Sequence, residues 1–257
     1  MKIQVIFVMF AGMATAGTFT YSDFSSTAGL SLTGAAAQSG TVLRLVPAVN
    51  SQAGDAWRTA AQTFDAHTSF STSFEFNVTT NLGDPTDGFS FILQNDATGN
   101  AALGGAGQGS GYVGLSPSVA VLFRGRAPSF IGVVLNGVDP LPSLPPGATP
   151  RTEGDFYNSN FFAWIDYNAT TTTLNVFLDP TSVKPLTPVL SNTVNIAGTL
   201  GGSQAFVGFG AGTGGANGTN DILKWSFSSV EVPEPGTAGF LAMSLIALGF
   251  ARRGFKR

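Results

Sequence analysis

Apolar and polar residues alternate along much of this chain with a period of two. Phe70, Phe74, Phe76 and Val78 interleave with Ser71, Ser73, Glu75 and Asn77, which sets the apolar group on one face of an extended strand. The alternation returns in Phe89, Phe91 and Leu93, in Leu174, Val176 and Leu178, and in Leu223, Trp225 and Phe227. Asp87-Gly88, Asn136-Gly137 and Asn217-Gly218 supply turn signals, so the pattern predicts antiparallel β-structure. Polar runs such as Thr170-Thr171-Thr172-Thr173 suit turns and outer sheet faces. No repeat of fixed period is present, which argues against a propeller or a solenoid. A sandwich buries one face of each sheet, and Phe fills such a core well. Each inward Phe contributes roughly 1.5–3 kcal/mol on burial, so a core of this kind does not need disulfides to offset chain entropy.

Both ends break the alternation. Lys2 precedes an apolar run over residues 3–13, followed by Ala14-Thr15-Ala16. A basic start, a short apolar core and small residues at −3 and −1 predict a secretory signal peptide over residues 1–16, cleaved after Ala16 by signal peptidase; a buried first strand or helix is the alternative. At the other end Val232-Pro233-Glu234-Pro235 leads into an almost wholly apolar segment, residues 236–251, and then Arg252, Arg253, Lys256 and Arg257. As a helix that segment would span about 24 Å, marginal against a hydrocarbon core of ~30 Å, and its basic end would stay cytoplasmic. The arrangement over residues 232–257 resembles the PEP-CTERM sorting signal of exopolysaccharide-producing Gram-negative bacteria. That resemblance implies transient membrane insertion, recognition by an exosortase-type membrane protease, and release or attachment at the cell surface. A permanent single-span anchor is the alternative.

Composition sharpens the body between these ends, residues 17–231. Charged residues make up 11% of the 257, against about 25% in ordinary soluble domains, so hydroxyl and amide side chains must carry much of the surface. All 15 acidic residues lie between Asp23 and Glu234, and with seven basic residues there the stretch carries −8. That sign argues against nucleic acid and anionic lipid as direct partners. The absence of cysteine excludes a thiolate metal site and a cysteine nucleophile.

Several blocks of the body resemble the legume-type (L-type) lectin domain, in particular its bacterial secreted members. They include Phe19-Thr20-Tyr21-Ser22-Asp23-Phe24, Ser69-Phe70-Ser71-Thr72-Ser73-Phe74-Glu75-Phe76, Asp87-Gly88-Phe89-Ser90-Phe91 and Gly111-Tyr112-Val113-Gly114-Leu115. Val119-Ala120-Val121, Trp164-Ile165-Asp166-Tyr167-Asn168, Val207-Gly208-Phe209 and Asp221-Ile222-Leu223-Lys224-Trp225-Ser226-Phe227 follow in the family's order. The resemblance implies an all-β, concanavalin-like jelly-roll sandwich of two curved antiparallel sheets, and non-catalytic carbohydrate binding.

The family's sugar site is built from four loops beside a pair of metal ions. By resemblance Asp87, followed by Gly88, supplies the carboxylate that accepts from sugar hydroxyls. The glycine-rich stretch 104–111 supplies a backbone N–H, with Gly109 and Gly111 as candidates. The loop containing Gly214 and Asn217 borders the site. The metal-binding element fails: Leu122, Arg124, Pro128 and Phe130 stand where the family has Glu, Asp, Asn and His. A guanidinium among calcium's oxygen ligands would repel the ion. The expectation is that the family's calcium and manganese pair is lost and no cofactor replaces it. Arg124 or Arg126 then takes over the orienting of Asp87 through a charge-assisted hydrogen bond, unless Asp87 is merely an Asp-Gly turn residue.

Other constellations are weaker. Glu153-Gly154-Asp155 has the spacing of a sandwich glycosidase's carboxylates, but Asn158 replaces the third acid and the segment follows a proline-rich loop. His67, the single histidine, lacks a Gly-x-Ser-x-Gly nucleophile elbow and reads as a turn residue. Trp164 and Trp225 sit in strand patterns and read as core, whereas Trp57, beside Arg58 in a polar stretch, remains open as a stacking platform. The expected protein is exported and non-catalytic. It binds a glycan or exopolysaccharide without metals, or else serves as a matrix protein whose sugar site is inactive. The sequence specifies no oligomeric state.

Overall fold

The computed structural model describes residues 17–81 and 86–231. The signal-peptide residues, including Ala14 and Ala16, and the sorting motif Pro233, Glu234 and Pro235 with its apolar segment lie outside the described residues. Sixteen strands follow in chain order: β1 (Thr18–Tyr21), β2 (Leu30–Gly34), β3 (Ala37–Ser39), β4 (Val42–Val46), β5 (Ala53–Arg58), β6 (Gln62–Thr63), β7 (Thr68–Val78) and β8 (Gly88–Gln94). Then come β9 (Ser118–Arg124), β10 (Phe130–Leu135), β11 (Thr149–Pro150), β12 (Asn160–Asn168), β13 (Thr173–Asp179), β14 (Leu190–Thr193), β15 (Gln204–Gly212) and β16 (Asn220–Glu231). The one α-helix among the described residues, α1 (Ile196–Leu200), is capped by the Asn195 side chain, which accepts from the Gly198 N–H at 2.9 Å.

The strands form two eight-stranded antiparallel sheets. Sheet A runs β14-β13-β12-β7-β16-β4-β3, with β1 also on β16; sheet B runs β11-β10-β9-β8-β15-β5-β2, with β6 also on β15. The predicted alternation is realised except at Leu223, where a bulge between Ile222 and Lys224 puts Ile222 into the core instead. Phe70, Phe74, Phe76, Phe89, Phe91, Val176, Trp225 and Phe227 all enter the main core between the sheets. There the Phe74 ring meets Phe209 edge-on at 5.0 Å and Phe91 in stacked geometry at 6.2 Å, contacts worth about 0.5–1.5 kcal/mol each beyond burial. Thr170–172 make the turn between β12 and β13, as their polarity suggested.

Sheet B differs from a sheet solvated on one side. Every residue of β8 and β9 is buried. In β9, Val119, Val121 and Phe123 enter the main core while Ala120 and Leu122 enter a second apolar cluster on the outer face, with Trp57, Tyr112, Leu115 and Phe130. The loops between β8 and β9 close over that cluster. Trp57 is therefore not an open stacking residue: it is fully buried, and its Nε1 donates to Ala102 O at 2.9 Å. The short, polar-looking β5 hid this, because its outer face is covered by a loop distant in sequence.

Candidate functional site

The site forms where three strands end together. Gly88, the first residue of β8, pairs with Arg124 at the end of β9 and with Gly212 at the end of β15. This register carries Asp87, Arg124 and the loop after Gly212 to one end of sheet B. Asp87-Gly88 is thus a strand entry rather than a hairpin turn. Gly88 has φ +131°, and a Cβ there would lie 2.2 Å from Phe123 O.

The glycine-rich loop reaches Asp87 because β15 lacks side chains on its outer face from Gly208 onward. Gly208, Gly210 and Gly212 alternate with Val207, Phe209 and Ala211, which point into the main core. A Cβ on Gly210 would lie 2.4 Å from Gly111 O, and one on Gly212 would lie 2.8 Å from Gly107 N. The glycine stripe is therefore the seat of the 104–111 loop. The alternation of glycines was visible in the sequence and is the signal that could have located this seat.

Around Asp87 the three loops close tightly. A Cβ on Gly107 would lie 3.7 Å from Asp87 Oδ2, and one on Gly214 would lie 2.9 Å from it. Gly107, not Gly109 or Gly111, is the glycine of its loop that faces the carboxylate. The other two N–H groups are already used: Gly109 donates to Ala106 O and Gly111 to Gly105 O, each at 3.0 Å. The N–H of Gly107 donates to Thr213 O at 3.0 Å, tying the two loops together. No backbone carbonyl accepts from the Ala106 or Gln108 N–H among the described loop contacts. Gly214 O accepts from Ser51 N at 3.0 Å. Asn217 is a latch: its side chain donates to Asn50 Oδ1 and accepts from Asn81 Nδ2 at 3.0 Å.

Arg124 lies beside Asp87, with Nη1 3.6 Å from Oδ1 and side chains only 4% and 8% exposed respectively. The contact is a buried ion pair, too long for the charge-assisted hydrogen bond expected from the sequence. Burial lowers the guanidinium's pKa, and the Asp87 charge opposes that shift. Arg126 is half-buried at the rim. Tyr157, which the sequence gave no reason to choose, packs its ring against Gly125, where a Cβ would lie 2.0 Å from the ring. Its hydroxyl donates to Thr86 O, next to Asp87, and burial, followed by the Asp87 charge, raises its pKa.

These residues do not fit a divalent metal pair. Leu122 and Phe130 are packed into the second apolar cluster, Pro128 is exposed, and Arg124 already places a cation beside Asp87. Among the described residues no group of three His, Asp or Glu side chains is arranged to hold an ion. The glycosidase alternative fares no better. Glu153 and Asp155 lie in a turn, where Glu153 accepts from Ala127 N at 3.1 Å and Asp155 pairs with Arg151 at 2.9 Å. His67 sits in the turn before β7, where its N–H donates to Asp65 Oδ1 at 2.9 Å.

A second buried carboxyl supports the glycine-rich loop from below. Asp55 on β5 is fully buried; its Oδ2 accepts from Gly104 N at 2.7 Å while Oδ1 has no hydrogen-bond partner. Burial raises its pKa well above the usual carboxylate value, against the smaller opposite effect of the Gly104 N–H. The unfolded chain ionises this residue above pH ~3.9, whereas burial makes the native state keep its proton to a higher pH. Stability therefore falls as pH rises from about 4 towards the raised native pKa. Asp55→Asn is expected to flatten that slope in urea midpoints measured between pH 4 and 8. Superimposable pH curves for the two proteins would refute the account.

The domain is a two-sheet sandwich that carries a carboxylate and two glycine-rich loops at one sheet end. The chain belongs to the legume lectin family: the Legume lectin domain model matches residues 16–124 and 147–239. Members of this family are generally non-enzymatic carbohydrate-binding proteins. The match breaks immediately after Arg124, the residue that pairs with Asp87. Among curated relatives, an Arabidopsis thaliana protein described as L-type lectin-domain containing receptor kinase I.7 is 30% identical over 250 residues, 88% of this chain and 37% of that protein. Another from the same plant, described as probable inactive L-type lectin-domain containing receptor kinase III.1, is 31% identical over 62% of this chain and 28% of its own length. The chain thus spans little more than a third of these relatives at most. Among solved structures, the lectin from Bauhinia forficata in complex with GalNAc superposes with TM-score 0.72 at 23% identity, covering 85% of this chain and 100% of that one. Basic winged bean lectin with Tn-antigen gives 0.68 at 27% identity, with the same coverage of both chains.

Proposed function

We propose that this chain is an exported lectin domain that binds a glycan without metal ions at the Asp87 end of sheet B. The observation that carries the reading is the convergence of Asp87, Gly107 and Gly214 on one point, with the Arg124 guanidinium behind the carboxylate. Asp87 accepts hydrogen bonds from sugar hydroxyls, the 106–108 backbone donates to a sugar oxygen, and the loop from Gly214 to the Asn217 latch borders the sugar. Arg124 fixes the carboxylate electrostatically, a task that a fixed positive charge performs in a low-dielectric site without a ligand shell. The glycan is the cell's own exopolysaccharide or an environmental polysaccharide.

Export and processing form part of the same proposal. Support comes from the signal-peptide pattern ending at Ala16 and from the ordered Pro233-Glu234-Pro235 motif, apolar segment and basic end. The mature protein, isolated from the producing cell surface or medium, is expected to lack residues 1–16 and the C-terminal tail. Persistence of residues 236–257 in its mass would refute processing by an exosortase-type protease.

A second reading, a matrix protein with an inactive sugar site, is favoured by one observation: the Asp87 side chain is only 8% exposed. A glycan array run with and without chelator, on the wild type and on Asp87→Ala, separates the readings. For at least one array glycan, retention that survives chelator and disappears in Asp87→Ala is expected. No retention of any glycan would support the matrix reading, and strong chelator sensitivity would refute the metal-free one.

A further inference from the structure

The outer face of sheet A, the sheet that does not carry Asp87, is dense in hydroxyl groups. Cross-strand register sets its side chains in two rows: Thr20, Ser226, Ser73, Trp164 and Phe177, then Thr18, Ser228, Ser71, Asp166 and Asn175. Neighbours within a row are about 4.8 Å apart. Trp164 is the large aromatic at the centre. The sequence pattern read it as core, but it has the parity of Ser73 and Ser226 and lies half-buried on this outer face, stacked with Phe162 at 6.2 Å and 24°. Depressions of about 210 and 300 Å³ flank it and share Ser73, Trp164 and Ser226.

The charges on this face neutralise one another. Lys224 pairs with Glu75 at 2.7 Å, and Lys184, from the loop after β13, pairs with Asp166 while lying 4.3 Å from the Phe177 ring centre. A face with its charges paired internally offers little to an ionic partner. Its rows are mostly hydroxyl and amide side chains, with Trp164 and Phe177 confined to one of them. Hydroxyls that both donate and accept, around one half-exposed indole that presents an apolar surface with a polar edge, match a neutral polyhydroxylated chain.

The geometry points to a second saccharide-binding surface here, taking a neutral polysaccharide laid across the strands with one sugar ring stacked on Trp164. This surface is independent of Asp87, and the two sites let one domain cross-link polysaccharide chains.

Affinity electrophoresis through gels containing hydroxyethylcellulose, galactomannan or xylan tests the assignment. Asp87→Ala is expected to remain retarded by at least one of these polymers. Trp164→Ala and Ser228→Arg are expected to lose retention at least tenfold. Ser228 is exposed, so its replacement crowds the face without entering the core and serves as the control for a Trp164 variant that misfolds. Trp57 and Trp225 are fully buried, so the same polymer should shift the fluorescence of Trp164 in the wild type. The assignment is overturned if the wild type is not retarded by any of the three, if Ser228→Arg migrates as the wild type does, or if Asp87→Ala alone abolishes retention. Concentration-dependent dimerisation in sedimentation, lost in Ser228→Arg, would give the face to a second copy of the chain and overturn it as well.

Discussion

Replacing Arg124 by alanine is expected to destabilise the domain by about 3–5 kcal/mol, the range for removing one partner of a buried ion pair. The Arg124 and Asp87 side chains are 4% and 8% exposed, so water cannot take over the lost partner's role. Urea denaturation measures the loss, and a midpoint within error of the wild type would show that the pair does not hold this end of sheet B. Arg124→Met combined with Asp87→Asn removes both charges while keeping much of the volume. Most of the stability should return in that double variant, because it leaves no lone buried charge behind. Glycan binding should not return, since the carboxylate acceptor is gone. This contrast separates the pair's part in folding from its part in recognition. Calorimetric sugar binding unchanged in Arg124→Ala/Arg126→Ala would exclude a guanidinium as the element that orients Asp87.

The second large effect is expected at Gly88. Alanine there would have to adopt φ +131°, costing about 1–3 kcal/mol, and its Cβ would stand 2.2 Å from Phe123 O on the neighbouring strand. Overpacking against backbone adds a further ~1–3 kcal/mol. Because Gly88 pairs with both Arg124 and Gly212, the damage falls on the register that brings Asp87 to its partners. Gly88→Ala is therefore expected to lose glycan retention as well as stability. By contrast, Gly40→Ala is a control for positive φ alone, since Gly40 has φ +62° and nothing within 4 Å of a Cβ. Equal losses in the two variants would show that strain, and not the approach of β9, governs position 88.

Much of the site was legible because its residues are short-range in sequence or chemically conspicuous. Asp87-Gly88 is a recognisable pair, the 104–111 stretch announces a loop by composition, and Arg124 stands out as a cation where the resemblance leads to carboxylates. What escaped is long-range. Which glycine faces Asp87 depends on the glycine stripe of β15, more than a hundred residues after Gly107. Asp55 and Tyr157 reach the site only through pairing with distant strands, and neither has a local pattern that marks it.

The three tryptophans show the same division. Period-two alternation fixes which side chains share a face, and it placed Trp225 correctly beside Phe227 in the core. Alternation alone does not say what covers the other face. Trp57 is buried because the 99–117 loops fold over sheet B, and Trp164 is half-exposed because the face it shares with Ser73 and Ser226 is left largely uncovered. The sequence by itself determined the main strands and the sandwich, because these follow from local periodicity, while the replacement of the metal ligands is what the family resemblance implies. Only the tertiary structure decided which loop closes on Asp87, how Arg124 meets it and which tryptophan faces outward, because burial is a property of pairs of segments brought together by folding.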